Sequence, residues 1–163
     1  MGIRQHKQTG KKHGMAQLVR VATTKRAVMA IDGHKLVALV FNADKRGKTP
    51  PIVFIHGIGA SVNFWATGQP AMLKDRYWAS LSLPGHMPAT FPDGFTSDDI
   101  QAAVLAQVMG EAVRRLAGGV PAVLVGHSTG GFMALSIAAH VPEVGICSRG
   151  NVRRIIRQHS RAS

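Results

Sequence analysis

The chain has 163 residues, 45% of them apolar and 17% charged, which fits one globular domain with a real core and excludes a disordered polypeptide. Its 20 Lys and Arg against 8 acids give a net charge of +12, yet the excess sits at the two ends. Residues 1–26 hold seven bases and no acid, residues 143–163 hold five bases and one acid, and the stretch between is close to neutral.

Residues 1–16 are polar and basic and read as a flexible tail. They lack the apolar run of a secretory leader, so a mitochondrial-type presequence is the alternative to a solvated tail. His6 stands where N-myristoylation after Gly2 needs Ser or Thr. From residue 17 to Glu143 the pattern is that of a folded domain. Val28–Ile31 and Lys35–Phe41 flank Asp32-Gly33, a hairpin signal, with His34 expected to be exposed. A polar loop to Pro51 leads into Ile52-Val53-Phe54-Ile55, the uninterrupted apolar run of a strand buried on both faces. Val62–Leu73 reads as a helix and Tyr77–Leu83 as another strand, closed by Pro84-Gly85.

Asp98–Leu116 carries the clearest helical period, with Ile100, Val104, Val108, Ala112 and Leu116 four apart, a cap at Thr96 or Ser97, and Gly118-Gly119 as its stop. Ala122–Val125 is a further buried strand and Phe132–His140 a second apolar helix. Buried strands alternating with helices predict a mostly parallel α/β sheet. The apolar stretch from Pro121 to Pro142 is broken by Gly126–Gly131, so it is no membrane span.

Gly126-His127-Ser128-Thr129-Gly130 matches G-x-S-x-G, directly after a strand and at the start of a helix. Such a sharp turn lifts the serine above the sheet, and the helix N-terminus offers N–H groups to a developing oxyanion. His56-Gly57-Ile58-Gly59 follows the strand Ile52–Ile55, which a parallel sheet ends on the same edge, and Leu83-Pro84-Gly85-His86 follows the next strand. On these three motifs the chain, from about Val28 to Glu143, resembles the α/β-hydrolase family in its esterase, lipase and C–C hydrolase branch.

The resemblance implies a partial doubly wound sheet and a serine hydrolase acting on ester or related acyl substrates. Ser128 would be the nucleophile, and the amides of Ile58 and Thr129 the oxyanion hole. Serine there speaks against the family's dehalogenases and epoxide hydrolases, which place aspartate at that position. Ser82 and Met87 depart from the family's usual acid and second glycine. No cofactor or metal is implied, and the eight histidines have no ligand spacing. The implied partner is a small-molecule substrate and not a specific nucleic acid. The implied location is cytoplasmic.

The family order continues with an acid and then a histidine. Downstream of Ser128 stand only Glu143, His140 and His159. His140 is expected about 18 Å along the helix axis from the serine, too far to act as its base. No convincing strand follows Glu143, and residues 144–163 read as a basic, non-family-like tail that leaves the strand Ala122–Val125 with an open edge. The expectation is the front part of such a hydrolase, lacking the C-terminal strands and with the triad acid and histidine missing. Upstream, His86 shares the serine's edge but has no evident acid partner and reads as a loop residue. His56 reads as a holder of the oxyanion loop and His127 as a pocket wall or packing residue. Phe64 and Trp65 read as core packing. A catalytically inactive fragment or binding protein is the alternative, and a binder of anionic surfaces through the basic ends a third reading.

Overall fold

The computed structural model describes residues 24–67, 73–142 and 144–147, so the tail at 1–16 and His159 lie outside the described residues. Six strands form one sheet in the order β1-β2-β4-β3-β5-β6: β1 Lys25–Ile31, β2 His34–Phe41, β3 Ile52–Ile55, β4 Trp78–Leu81, β5 Ala122–Gly126 and β6 Gly145–Cys147. Helix α1 spans Ala102–Ala117 and α2 spans Thr129–His140.

The β1–β2 hairpin closes at Asp32 and Gly33, whose φ angles of 46° and 76° are those of a type I′ turn. β2 joins β4 antiparallel, whereas β4, β3, β5 and β6 run parallel, with β3 held between β4 and β5. Burial on both faces explains why β3 is apolar at every position. Val53 and Ile55 face the main core with α1 and α2, while Ile52 and Phe54 face a second cluster with Phe41 and Trp78. There the Phe41 and Trp78 rings stack at 3.8 Å.

Four expectations are corrected. Residues 62–67 form consecutive turns, not a helix. Their bonds Phe64 N–H to Ser61 O and Ala66 N–H to Asn63 O close only three-residue steps. α1 starts at Ala102, not Asp98: the Thr96 N–H and hydroxyl both bond the Asp99 carboxylate at 2.8 Å, closing a separate 3-10 turn over Ser97–Asp99. Ile100 then turns extended (φ −74°, ψ 92°) and breaks the helical path. His34 is buried, packed edge-on against the stacked rings of Phe91 and Phe95. A strand does follow Glu143: β6 pairs with Ala122–Leu124 and covers that edge of β5.

The end of α1 is tied down. Gly118 takes φ 74° as its C-cap, and the Arg46 guanidinium donates to the carbonyls of Arg115 and Leu116 at 2.9 and 2.8 Å. The Tyr77 hydroxyl also donates to Leu116 O at 2.8 Å. α1 and α2 approach closely where Gly110 meets Val141. No helix among the described residues is long and apolar enough to cross a membrane.

Candidate functional site

The parallel strands β3, β4 and β5 end on one sheet edge, and the loops that leave them meet there. Leaving β5, the chain reverses through His127 and Ser128 into α2. Ser128 carries φ 54° and ψ −124°, a conformation that costs an ordinary residue about 1–3 kcal/mol and persists only where its surroundings impose it. Those surroundings are glycines. A Cβ on Gly126 would overlap the backbone of Gly130, and one on Gly130 would overlap the carbonyls of Ile55 and His56. The His127 N–H donates to Ile55 O at 3.1 Å, and the amides of Gly131 and Phe132 reach back to Ser128 O at 2.8 and 3.2 Å.

The loop after β3 lies against this turn. A Cβ on Gly57 would stand 3.0 Å from both the Ser128 Cβ and the His127 carbonyl, so only glycine permits that approach without displacement. Ile58 beyond it is 75% exposed. Neither the Ile58 amide nor that of Thr129, the first residue of α2, has a backbone acceptor among the described residues. Ser128 is itself exposed, and its hydroxyl has no hydrogen-bond partner among the described residues.

His56 links two of the loops, as a holder should. Its Nδ1 donates to Gly57 O at 2.8 Å, and its Nε2 accepts from the Leu83 N–H at 3.2 Å. That pair of bonds requires the neutral ring protonated on Nδ1. Burial lowers its pKa from the usual histidine value, against the raising effect of the bond to Gly57, and the neighbouring His86 lowers it further. His86 stands with its ring 5.3 Å from that of His56 and donates from Nδ1 to Pro84 O at 3.1 Å. Ser82 is buried, its hydroxyl accepting from the Val37 N–H at 3.0 Å.

The structure thus brings Ser128, Gly57, Ile58, Thr129 and the His56–His86 pair to one edge. His140 is left at the far end of α2, its Nδ1 on Ser136 O at 2.9 Å. His127 is exposed and faces Phe64, ring centroids 5.2 Å apart. Phe64 is exposed rather than core, while Trp65 packs at 4.9 Å on Phe54.

The sequence reading missed the character of the surrounding rim. Ile58, Phe64, Met87 and Phe132 are all large, apolar and exposed. The signal was present: residues 56–67, 82–91 and 126–140 contain no Asp, Glu, Lys or Arg.

A family model described as the alpha/beta hydrolase family matches residues 52–161. The chain is 35% identical over 104 residues to an esterase of Mycobacterium tuberculosis, covering 60% of this chain and 31% of that protein. It is 32% identical over 94 residues to the dihydrolipoyllysine-residue acetyltransferase component of the acetoin cleaving system of Pseudomonas putida, covering 57% and 24%. Among solved structures, the Cif epoxide hydrolase of Acinetobacter nosocomialis superposes with a TM-score of 0.60 at 26% identity, covering 71% of this chain and 34% of that one. The chain therefore spans 24–34% of the length of these relatives.

Proposed function

Because the chain belongs to the alpha/beta hydrolase family, we propose that it carries the nucleophile and oxyanion-hole part of a serine hydrolase for neutral ester or related acyl substrates. The observation that carries this reading is the strained Ser128 turn with Gly57 pressed against it. The Ser128 Oγ attacks the acyl carbonyl carbon, and the carbonyl electron pair moves onto oxygen. The amides of Ile58 and Thr129 stabilise that oxyanion, aided by the positive end of α2. Collapse expels the alcohol and leaves an acyl-serine, which water hydrolyses. The charge-free apolar rim favours uncharged substrates, since a charged one would lose hydration there without a partner. A serine at position 128, where epoxide hydrolases of this fold have aspartate, favours ester chemistry despite the likeness to an epoxide hydrolase.

The reaction also needs a base for the hydroxyl proton. Among the described residues no histidine paired with a carboxylate stands beside Ser128. Among the described residues the His86 side chain has only the Pro84 carbonyl as hydrogen-bond partner, and we give it no catalytic role. That same observation favours the second reading, a chain without turnover of its own. An oxyanion hole and binding without a working triad retain roughly 10³–10⁴-fold catalysis over water. The 163-residue chain is therefore expected to hydrolyse p-nitrophenyl acetate at a trace rate, and ordinary alkyl esters not at all. Ser128→Ala should remove the trace and His86→Ala should leave it. Turnover insensitive to Ser128→Ala would refute the assignment, and robust turnover lost in His86→Ala would make His86 the base.

A further inference from the structure

We propose that the groove between the start of β1 and the last turn of α1 binds an amphiphilic anion: one anionic head on an apolar chain. It lies at the opposite end of the sheet from Ser128. Lys25 pairs with Val40 and Phe41 with Trp78, the first residue of β4, whereas Ser128 and Ile58 follow the carboxyl ends of β5 and β3.

The groove encloses about 430 Å³, within the size range of small-molecule sites. Its floor is apolar, with Met29, Leu116 and Tyr77 buried. The Tyr77 hydroxyl is already committed to Leu116 O, so the ring offers the groove only its hydrocarbon surface. Its rim is cationic. Lys25, Arg26, Arg46 and Arg115 line it, and among the described residues no carboxylate does.

Two of those cations are fixed in place. Arg46 Nη2 holds the carbonyls of Arg115 and Leu116, and its guanidinium stands 5.6 Å from the Tyr77 ring centre. Arg115 uses Nε on Glu111 and Nη1 on Ala30 O. Each retains N–H groups unbonded among the described residues. The other two are uncommitted: the side chains of Lys25 and Arg26 have no ion-pair or hydrogen-bond partner among the described residues. Glu111 pairs with Arg115 as well as Arg114, so among the described residues the uncompensated charge around the apolar floor rests on Lys25, Arg26 and Arg46. An anionic head relieves their mutual repulsion while its chain covers the floor. A neutral hydrocarbon supplies only the second gain, and a polyanion such as nucleic acid only the first.

Tyr77 is the chain's single tyrosine, so isotope labelling of tyrosine rings gives an NMR signal from this groove alone. Titrating the full chain with octanoate should shift that signal saturably, whereas 1-octanol at equal concentration should shift it at least tenfold less effectively. Lys25→Glu with Arg26→Glu should weaken octanoate binding at least tenfold. Lys25→Gln with Arg26→Gln, a milder change at the same exposed positions, serves if the reversal does not fold. Ser128→Ala should change nothing here. An unmoved tyrosine signal, an equal response to octanol, or binding indifferent to both double variants would overturn the proposal. A shift produced by phosphatidylglycerol vesicles but not by octanoate would also overturn it, making the surface a membrane contact.

Discussion

Two adjacent glycines, Gly130 and Gly131, should respond oppositely to the same methyl group. A Cβ on Gly130 overlaps the backbone carbonyls of Ile55 and His56, atoms of β3 and its loop that no rotamer change can move aside. A Cβ on Gly131 has Gly126 O as its nearest neighbour at 3.4 Å, an ordinary contact. Overpacking costs about 1–3 kcal/mol even where flexible side chains yield, so Gly130→Ala belongs at about 3 kcal/mol. For a chain of this size each kcal/mol moves Tm by roughly 2–4 °C, giving a fall of about 6–12 °C. Gly131→Ala replaces a helical glycine and gains up to about 1 kcal/mol of propensity, so its Tm should hold or rise by up to about 4 °C. Thermal unfolding of the two variants, followed by circular dichroism against the parent chain, makes the comparison. Equal shifts in both would refute the claim that the approach of α2 to β3 sets the requirement for glycine at position 130.

Ser128→Gly removes the side chain from a positive-φ position and should raise stability by about 1 kcal/mol in urea unfolding while abolishing any esterase trace. The same stability gain in Ser128→Ala would count against backbone strain as the cause. His56 takes up its proton less readily folded than unfolded, so its contribution is complete above the ordinary histidine pKa of 6.5 and declines as the pH falls below it. His56→Asn should flatten the fall in urea midpoint between about pH 7.5 and pH 5.5; an unchanged slope would show that His56 is not the group responsible. Glu111, held at a pKa of about 2 by Arg114 and then Arg115, stays ionised well below the usual carboxylate range. The three side chains are partly exposed, so Glu111→Gln should cost less than about 1 kcal/mol at neutral pH.

Much of the site was legible because its signals are local. β5, the turn and α2 are consecutive in the chain, and Gly126, Ser128 and Gly130 announce them in five residues. Asp32-Gly33 fixed its hairpin in the same way, whereas the adjacency of β3 and β5 is what the resemblance to the family's strand order implies. What was misread depended on distant partners. His34 is polar and next to a turn, and nothing local reveals that Phe91 and Phe95, some sixty residues on, enclose it. α1 kept its period back to Ile100, but the Thr96–Asp99 bonds captured the preceding turn first. β6 escaped notice because Gly145-Ile146-Cys147 is too short for an alternation pattern and acquires strand geometry only beside β5. The apolar rim is spread over three segments far apart in sequence, those of Ile58 and Phe64, of Met87 and of Phe132, so no single stretch displays it.

The pairing of β3 with β5 also bears on the order of events in folding. The β1–β2 hairpin joins near neighbours through a two-residue turn and can close within about 1–10 μs. Val53 and Leu124 meet across roughly seventy intervening residues, a loop whose closure entropy must be met before the contact repays it. Gly57 and Ser128 are brought together by that same long-range pairing. The sheet edge that carries Ser128 is thus among the last parts of the molecule to assemble. A covalent serine reagent, applied at intervals during refolding, should label Ser128 only after the helical signal of α1 has already returned.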